Sequence, residues 1–169
     1  GAAGNCVGAT FQVVVTVNPK PTLRTVQERE ICSNSRLTHS VINDGVNIIP
    51  SGTRYTWTIK NDNTDISGQS NQPISQNNFT QILKNKTIDP QIIVYSITPI
   101  SNNGACVGTA FDLTVTVNPT PEIAAKTAVI CSEGTFTVSP VDAVVVNGVR
   151  DIVPANTTYI WTVVDNPLV

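Results

Sequence analysis

Apolar and polar residues alternate along several segments of the chain, and this pattern predicts β-strands. In 55–59 two aromatic residues and an Ile face one way and two Thr face the other. Segment 111–117 alternates strictly between apolar and polar residues. Segment 91–99 is more apolar and predicts a buried strand, with Ile93, Tyr95 and Ile97 directed inward.

Clusters of Gly, Asn, Asp and Ser separate these segments and predict turns at 43–47, 61–71 and 101–104. Shorter strand candidates lie at 22–26 and 36–42, whereas 79–85 fits either a strand or a helical turn. The chain is rich in Val, Ile, Thr and Asn, and the β-branched residues among them favour strands. About seven strands per ~100 residues are typical of an immunoglobulin-like sandwich. The sequence therefore predicts an all-β fold of that type.

The pattern repeats with a period of about 100 residues. Segments 4–23 and 104–123 share 11 identities over 20 positions. Ile31-Cys32-Ser33 recurs at 130–132, and segment 48–59 resembles 152–163. A period of this length is the size of a complete sandwich domain and too long for one solenoid unit. The chain is therefore predicted to contain immunoglobulin-like repeats in tandem.

The repeat divides the chain into three predicted parts. Residues 1–19 form the last strand of a preceding repeat, 20–119 a complete repeat, and 120–169 the first half of a following repeat. Pro-x-Pro sequences at 19–21 and 119–121 mark the boundaries. Proline restricts the backbone to extended conformations, so these segments are predicted to be short, stiff spacers.

Aromatic residues at inward positions of the predicted strands are the candidate core. An alternative for the Tyr-x-Trp pairs is exposure for stacking on sugars, but their inward alternation favours packing. The predicted core aromatics are Tyr55, Trp57, Tyr95, Phe111, Tyr159 and Trp161.

Composition excludes several functional classes. Charged residues make up 13% of the chain and the net charge is -2, which disfavours a nucleic-acid-binding protein. The apolar content of 40% disfavours disorder. No apolar run approaches the ~20 residues that span a bilayer. The start of the chain lacks the features of a signal peptide, and we expect the sequence to be a piece of a longer protein.

The sequence offers little for catalysis. His39 is the only histidine, and the following repeat has Val138 in its place, which predicts a structural residue. Asp62 with Asp65, and Glu28 with Glu30, are candidate carboxylate pairs, but a lone small sandwich rarely offers the cleft that such catalysis needs. Segment 61–65 loosely resembles a calcium loop but lacks its Gly and distal Glu, so a polar hairpin turn is the favoured interpretation. We therefore expect no catalytic residue, metal site or cofactor. Three N-x-Thr sequences, at 78–80, 85–87 and 156–158, are attributed to chance.

Four cysteines suggest disulfides and an oxidising compartment. The favoured pairing joins Cys32 to Cys106 inside the complete repeat, with Cys6 and Cys131 pairing in flanking repeats. The geometry is demanding, because the starts of the second and last strands of a simple sandwich lie at opposite ends. The rival pairing joins Cys6 to Cys32 and Cys106 to Cys131, and would fasten neighbouring repeats together.

The motifs ICS, YxW, VYSITP and CVGxxF followed by VTVNPxP resemble the PKD-like, immunoglobulin-like repeats of giant surface proteins from gliding Bacteroidetes-type bacteria. The resemblance covers the whole chain, although TIKNDNTD follows Trp57 where PKD domains have a WxFGDG-like stretch. It implies long tandem arrays, a cell-surface or secreted location, export by the type IX route, and adhesin or stalk roles.

The resulting functional hypothesis is a structural stalk repeat of a secreted bacterial surface adhesin involved in gliding or cell adhesion. Its partners are expected to be neighbouring repeats, without nucleic acid or membrane insertion. One alternative is a module in which each repeat binds a glycan or a surface, and Thr-rich faces such as Thr56 and Thr114 are candidates for that surface. Another is an accessory domain of a secreted hydrolase.

Overall fold

The computed structural model describes residues 4, 8–146 and 148–162, and these residues contain strands, turns and one short 3-10 helix but no α-helix. This agrees with the predicted all-β fold. Within the described residues, no helix has the length and apolar character needed to cross a bilayer.

The strands are short and closely spaced in sequence. The complete repeat contains nine of them: β1 (Val26–Cys32), β2 (Arg36–His39), β3 (Arg54–Asn61), β4 (Ile66–Ser67), β5 (Gln72–Gln76), β6 (Phe79–Ile82), β7 (Lys84–Asn85), β8 (Gln91–Ile100) and β9 (Phe111–Asn118). A 3-10 turn at Asn103–Ala105 connects β8 to β9. Two further strands follow, β10 (Val145–Val146) and β11 (Val149–Arg150).

The strands of the complete repeat form two layers. One layer is a five-stranded sheet in the order β1-β9-β8-β3-β5. The other layer consists of the antiparallel pairs β2-β6 and β4-β7. Within the large sheet β1 runs parallel to β9, with Val26 opposite Asp112 and Cys32 opposite Asn118. The other neighbours in this sheet are antiparallel.

The core lies between the two layers and follows the alternation of the sequence. Alternate residues of β8 and β9 are fully shielded from solvent, while the residues between them are half-buried. The rings of Trp57, Phe79 and Tyr95 pack edge to face, with centroid separations of 4.8 and 4.9 Å. Such contacts add to the free energy gained from burying the rings. The apolar cluster consists of Leu23, Leu37, Tyr55, Trp57, Ile66, Phe79, Leu83, Ile93, Tyr95, Ile97, Phe111, Leu113, Val115 and Val117.

Four of the six predicted core aromatics are therefore buried: Tyr55, Trp57, Tyr95 and Phe111. The prediction is wrong for the other two, because Tyr159 is 43% exposed and Trp161 is 82% exposed. In the complete repeat, the strand that carries the Tyr-x-Trp pair lies between β8 and β5. In the described part of the C-terminal segment, residues 159–161 form no strand and pair with none.

The edges of the large sheet differ from the sequence-based expectation. The strand expected at 22–26 lies at Val26–Cys32, and β5 at Gln72–Gln76 was missed. Most residues of β1 are exposed and none of β5 is buried, because each strand has a neighbour on one side only. Segment 79–85, which fitted a strand or a helical turn, forms β6 and β7.

The flanking segments are not complete sandwiches. Residues 8–17 are exposed and form no strand, although their sequence matches that of β9. In the C-terminal part, Glu122 pairs with Ile152 through backbone bonds of 3.0 and 2.7 Å. Thr22 pairs with Ile48 in the same way, at 2.9 and 2.7 Å. The complete repeat and the C-terminal part thus begin with the same backbone pairing. The boundaries at 19/20 and 119/120 stay a prediction.

Candidate functional site: the two poles of the sandwich

The segment that precedes the sandwich packs against the end at which β9 begins, here called the N-terminal pole. Pro21 is fully buried there. A Cβ placed on Gly108 would lie 2.6 Å from the Pro21 carbonyl oxygen and 2.7 Å from Pro99 Cγ. Only glycine therefore leaves room for the linker at this point, which explains the Gly of the CVG motif.

A second contact at the N-terminal pole involves the residue just before the Pro-x-Pro linker. A Cβ on Gly104 would lie 2.6 Å from Asn18 Nδ2, so the Asn18 side chain lies directly against the turn that precedes β9. Gly104 also has a φ of +71°, which glycine adopts without strain. The linker is thus held by side-chain and backbone contacts on both sides of Pro19.

The segment that follows the sandwich leaves from the opposite end, the C-terminal pole. Ser33 donates its backbone N–H to Asn118 O at 2.8 Å, and its own carbonyl accepts from Thr120 Oγ1 at 3.3 Å. Beyond the linker, Lys84 Nζ lies 3.2 Å from Glu122 Oε2. This ion pair is exposed and adds little stability, but it joins the sandwich to the segment that follows.

The direction of β9 places the two linkers at opposite poles. Pro21 lies beside Gly108, just before β9 begins, and Pro119 follows directly after β9 ends. The parallel neighbour β1 runs the same way, from the N-terminal pole toward the C-terminal pole. The chain therefore crosses the domain from end to end instead of returning to its starting point.

Comparison with known proteins gives the family. The family model described as PKD-like domain matches residues 29–121, more than half of the chain. The chain belongs to the PKD-like domain family. PKD-like domains are typically non-catalytic, and membership is consistent with a structural or adhesion-type module.

Other comparisons add little to the PKD-like assignment. Among curated proteins, none matches this chain. Among solved structures, a 2,6-sialyltransferase of Vibrionaceae Photobacterium sp. JT-ISH-224, in a ternary complex with the donor product CMP and the acceptor substrate lactose, is similar over 56% of this chain, with 15% identity and a TM-score of 0.34. The match spans only 17% of that enzyme, and so low a TM-score carries no argument about function.

The three cysteines in the described part of the chain do not pair as expected. Cys32, Cys106 and Cys131 are all free thiols, so the predicted Cys32–Cys106 disulfide is absent, as is the rival Cys106–Cys131 bridge. Cys32 lies at the end of β1 opposite Asn118, whereas Cys106 precedes β9 at the other pole. The length of the β1–β9 ladder separates the two residues, and a disulfide requires a Cα separation of about 5.5 Å. Cys6 lies outside the described residues.

This arrangement predicts that the fold is insensitive to reductant. We expect dithiothreitol to leave the melting temperature unchanged, and Cys32→Ser with Cys106→Ser to melt like the wild type. A bridge closing a loop this long would contribute roughly 4 kcal/mol. Thiol titration under native conditions checks the same point, and a fall in melting temperature of several degrees on reduction would contradict it.

The candidate catalytic and metal-binding side chains of the PKD-like domain make contacts that belong to the fold itself. His39 is buried, beside Phe111 at a ring-centroid separation of 6.1 Å. Asp62 Oδ1 accepts a bond from Gln69, and the Asp65 N–H donates to Asn63 Oδ1 at 2.9 Å. These contacts form a polar turn. Among the described residues, no group of three or more His, Cys, Asp or Glu side chains could hold a metal ion.

One of the N-x-Thr sequences has a structural role that the sequence did not reveal. Asn85 is 1% exposed, and its Nδ2 donates to the carbonyls of Asp89 and Val117, both at 2.8 Å. Its Oδ1 accepts from the N–H and hydroxyl of Thr87, at 2.8 and 2.9 Å. Asn85 therefore joins β7, the following loop and β9 beside the C-terminal pole. The Thr two residues later was the available signal, because an Asx turn uses the same spacing as a sequon.

Proposed function

We propose that this PKD-like domain is a stalk repeat of a large secreted bacterial surface adhesin that holds a distal adhesive tip away from the cell. In this proposal the protein is extracellular, and its partners are neighbouring repeats of the same chain. The role is mechanical and requires no catalytic group or cofactor.

The position of the linkers at opposite poles is the observation that supports this proposal. A domain whose termini lie together adds bulk to an array but little length. Here each repeat would add the length of β9, which is eight residues long. With extended linkers included, the expected gain is roughly 35 Å per repeat.

The contacts at the N-terminal pole support stiffness as well as length. Pro21 is fully buried against Gly108, and Asn18 lies against Gly104. A linker that is packed in this way has little freedom to bend, in contrast to a Gly/Ser-rich linker. Successive repeats are therefore expected to keep a fixed relative orientation.

Small-angle X-ray scattering of concatenated copies of residues 20–119 tests the proposal. All members of the apolar cluster lie within this segment, so we expect each copy to fold with its own core. The maximum dimension of two, four and six copies is expected to increase linearly, by roughly 35 Å per copy.

A matched control keeps the linker length and removes its stiffness. Each junction of the array contains Pro119 of one copy and Pro21 of the next. Replacing both by Gly is expected to give an increase closer to the square root of the copy number. If the unmodified array already shows this weaker dependence, or stays compact, the stalk proposal is wrong.

A further inference from the structure

A polar groove on the side of the sandwich brings together two arginines from separate layers. It has a volume of about 500 Å³ and lies where β3 and β5 of one layer face β2 and β6 of the other. Each layer contributes one arginine to it, Arg36 from β2 and Arg54 from β3. The groove lies on the flank of the domain, and no residue of either linker lines it.

The two arginines give the groove an unbalanced positive charge. Among the described residues, neither Arg36 nor Arg54 is paired with a carboxylate, and no acidic residue lines the groove. The Arg54 Nη2 donates to the Ser75 carbonyl at 3.0 Å, which holds this guanidinium across β5 and leaves its other donors free. In a chain of net charge -2, two unpaired cations at one site favour an anionic ligand.

The remaining lining indicates what kind of anion fits. Five amide side chains line the groove together with the arginines, from Gln72, Gln76, Asn77, Asn78 and Gln81. Hydroxyl groups of Ser70 and Thr80 complete the rim. An amide both donates and accepts hydrogen bonds, as a sugar hydroxyl does, so this lining suits a polyhydroxylated ligand. Guanidinium groups bind carboxylates through paired hydrogen bonds.

The matching segment that follows has a different residue at each arginine position. By the repeat alignment, Thr135 and Thr158 replace Arg36 and Arg54. The neighbouring turn is unchanged, because Thr53 Oγ1 donates to Pro50 O and Thr157 Oγ1 to Pro154 O, both at 2.6 Å. Both arginines are thus present in one repeat and both absent from the next.

We propose that this groove is a binding site for a carboxylated glycan of the uronate type. The carboxylate binds Arg36 and Arg54, and the amides bind the sugar hydroxyls. The site goes beyond the stalk function, because it lies on the flank and belongs to one repeat and not to every repeat. It also differs from the Thr-rich faces considered from the sequence.

The experiment is a titration of the full 169-residue chain with alginate oligosaccharides, followed by NMR of the tryptophan indole N–H groups. The chain has two tryptophans, and Trp57 lines the groove while Trp161 lies in the following segment. We expect the Trp57 signal to shift and the Trp161 signal to stay in place. Neutral dextran is expected to shift neither.

Arg36 and Arg54 are both exposed and form no ion pair among the described residues, so the R36T/R54T variant is expected to remain folded while its alginate affinity falls at least tenfold. The matched control R24T/R29T removes the same charge outside the groove, and we expect its affinity to stay within twofold of the wild type.

Three results would overturn the proposal. They are no binding of alginate or polygalacturonate by the wild type, equal losses of affinity in the two double variants, and binding of poly-glutamate as tight as that of alginate. The last result would identify a general anion or acidic-peptide site. None of them bears on the stalk proposal, whose readout is the length of an array.

Discussion

Replacing Asn85 with Ala is expected to lower the free energy of unfolding by about 3 kcal/mol. Four side-chain hydrogen bonds are lost at about 1 kcal/mol each, and relaxation of the groups around the new alanine recovers part of that loss. The Asp89 and Val117 carbonyls lose the amide donor that they share at 2.8 Å. Urea denaturation followed by far-UV circular dichroism measures the change. Domains of this size have total stabilities of only 5–15 kcal/mol, so the effect is large.

Two further variants separate hydrogen bonding from other effects of the Asn85 substitution. Asn85→Asp keeps the size and the acceptor but loses both donations and buries a charge, so we expect a loss at least as large. Asn78→Ala removes the exposed Asn of another N-x-Thr sequence and is expected to change stability by less than about 0.5 kcal/mol. If Asn85→Ala and Asn78→Ala have equal effects, the buried hydrogen bonds of Asn85 do not stabilise the fold.

Replacing His39 with Val is expected to remove a pH-dependent loss of stability. Burial, with a smaller contribution from the positive charge of Arg29, lowers the pKa of His39 from 6.5 to about 4. Neither ring nitrogen of His39 has a hydrogen-bond partner among the described residues. The following repeat has Val138 at this position, which makes Val the natural substitution.

The sign of the effect follows from proton binding. Between pH 6.5 and about 4 the unfolded chain binds a proton at His39 more readily than the folded chain does. The free energy of unfolding therefore falls as the pH is lowered through this window, by up to about 3 kcal/mol, and the contribution is fully present above pH 6.5.

Urea denaturation of wild type and His39→Val at several pH values between 7 and 4 tests this expectation. Carboxylates also titrate in this range, but they do so in both proteins, so the difference between the two curves isolates His39. We expect the His39→Val variant to become increasingly more stable than the wild type as the pH falls. Parallel curves would show that the His39 pKa is not lowered by folding.

The sequence determined the fold class and much of the core. Strict alternation in 111–117 and the apolar residues of 91–99 predicted two strands that lie at the centre of the large sheet. A central strand is paired on both sides and buried on one face, so apolar residues alternate with polar ones along its sequence. The internal repeat of about 100 residues was also visible in the sequence, because it depends on identity between segments and not on contacts.

The edge strands show a weaker alternation of apolar and polar residues, so the sequence predicts them less well. The sequences of β1 and β5 are VQEREIC and QPISQ, and all of their residues are exposed or half-buried. Their pairing depends on backbone hydrogen bonds to a neighbour, and these bonds are indifferent to side-chain type. The tertiary structure therefore decided where β1 begins and that β5 exists.

Cysteine pairing and aromatic burial were also decided by tertiary structure. The cysteine count could not show that Cys32 and Cys106 lie at opposite poles, because that follows from the parallel register of β1 and β9. The Tyr-x-Trp pattern occurs twice, but Trp57 is 5% exposed and Trp161 is 82% exposed. Burial depends on the strands that cover a residue, and a local pattern does not contain them.

The linker positions and the arginine groove, on which the two proposals rest, also depend on the tertiary structure. The sequence by itself determined the all-β fold and contains the internal repeat, whereas the Pro-x-Pro boundaries remain a prediction. Only the tertiary structure placed the linkers at opposite poles and brought Arg36 and Arg54 from separate layers to one groove. The physical reason is that local periodicity fixes which face of a strand is apolar, whereas the order and direction of the strands fix which distant residues meet.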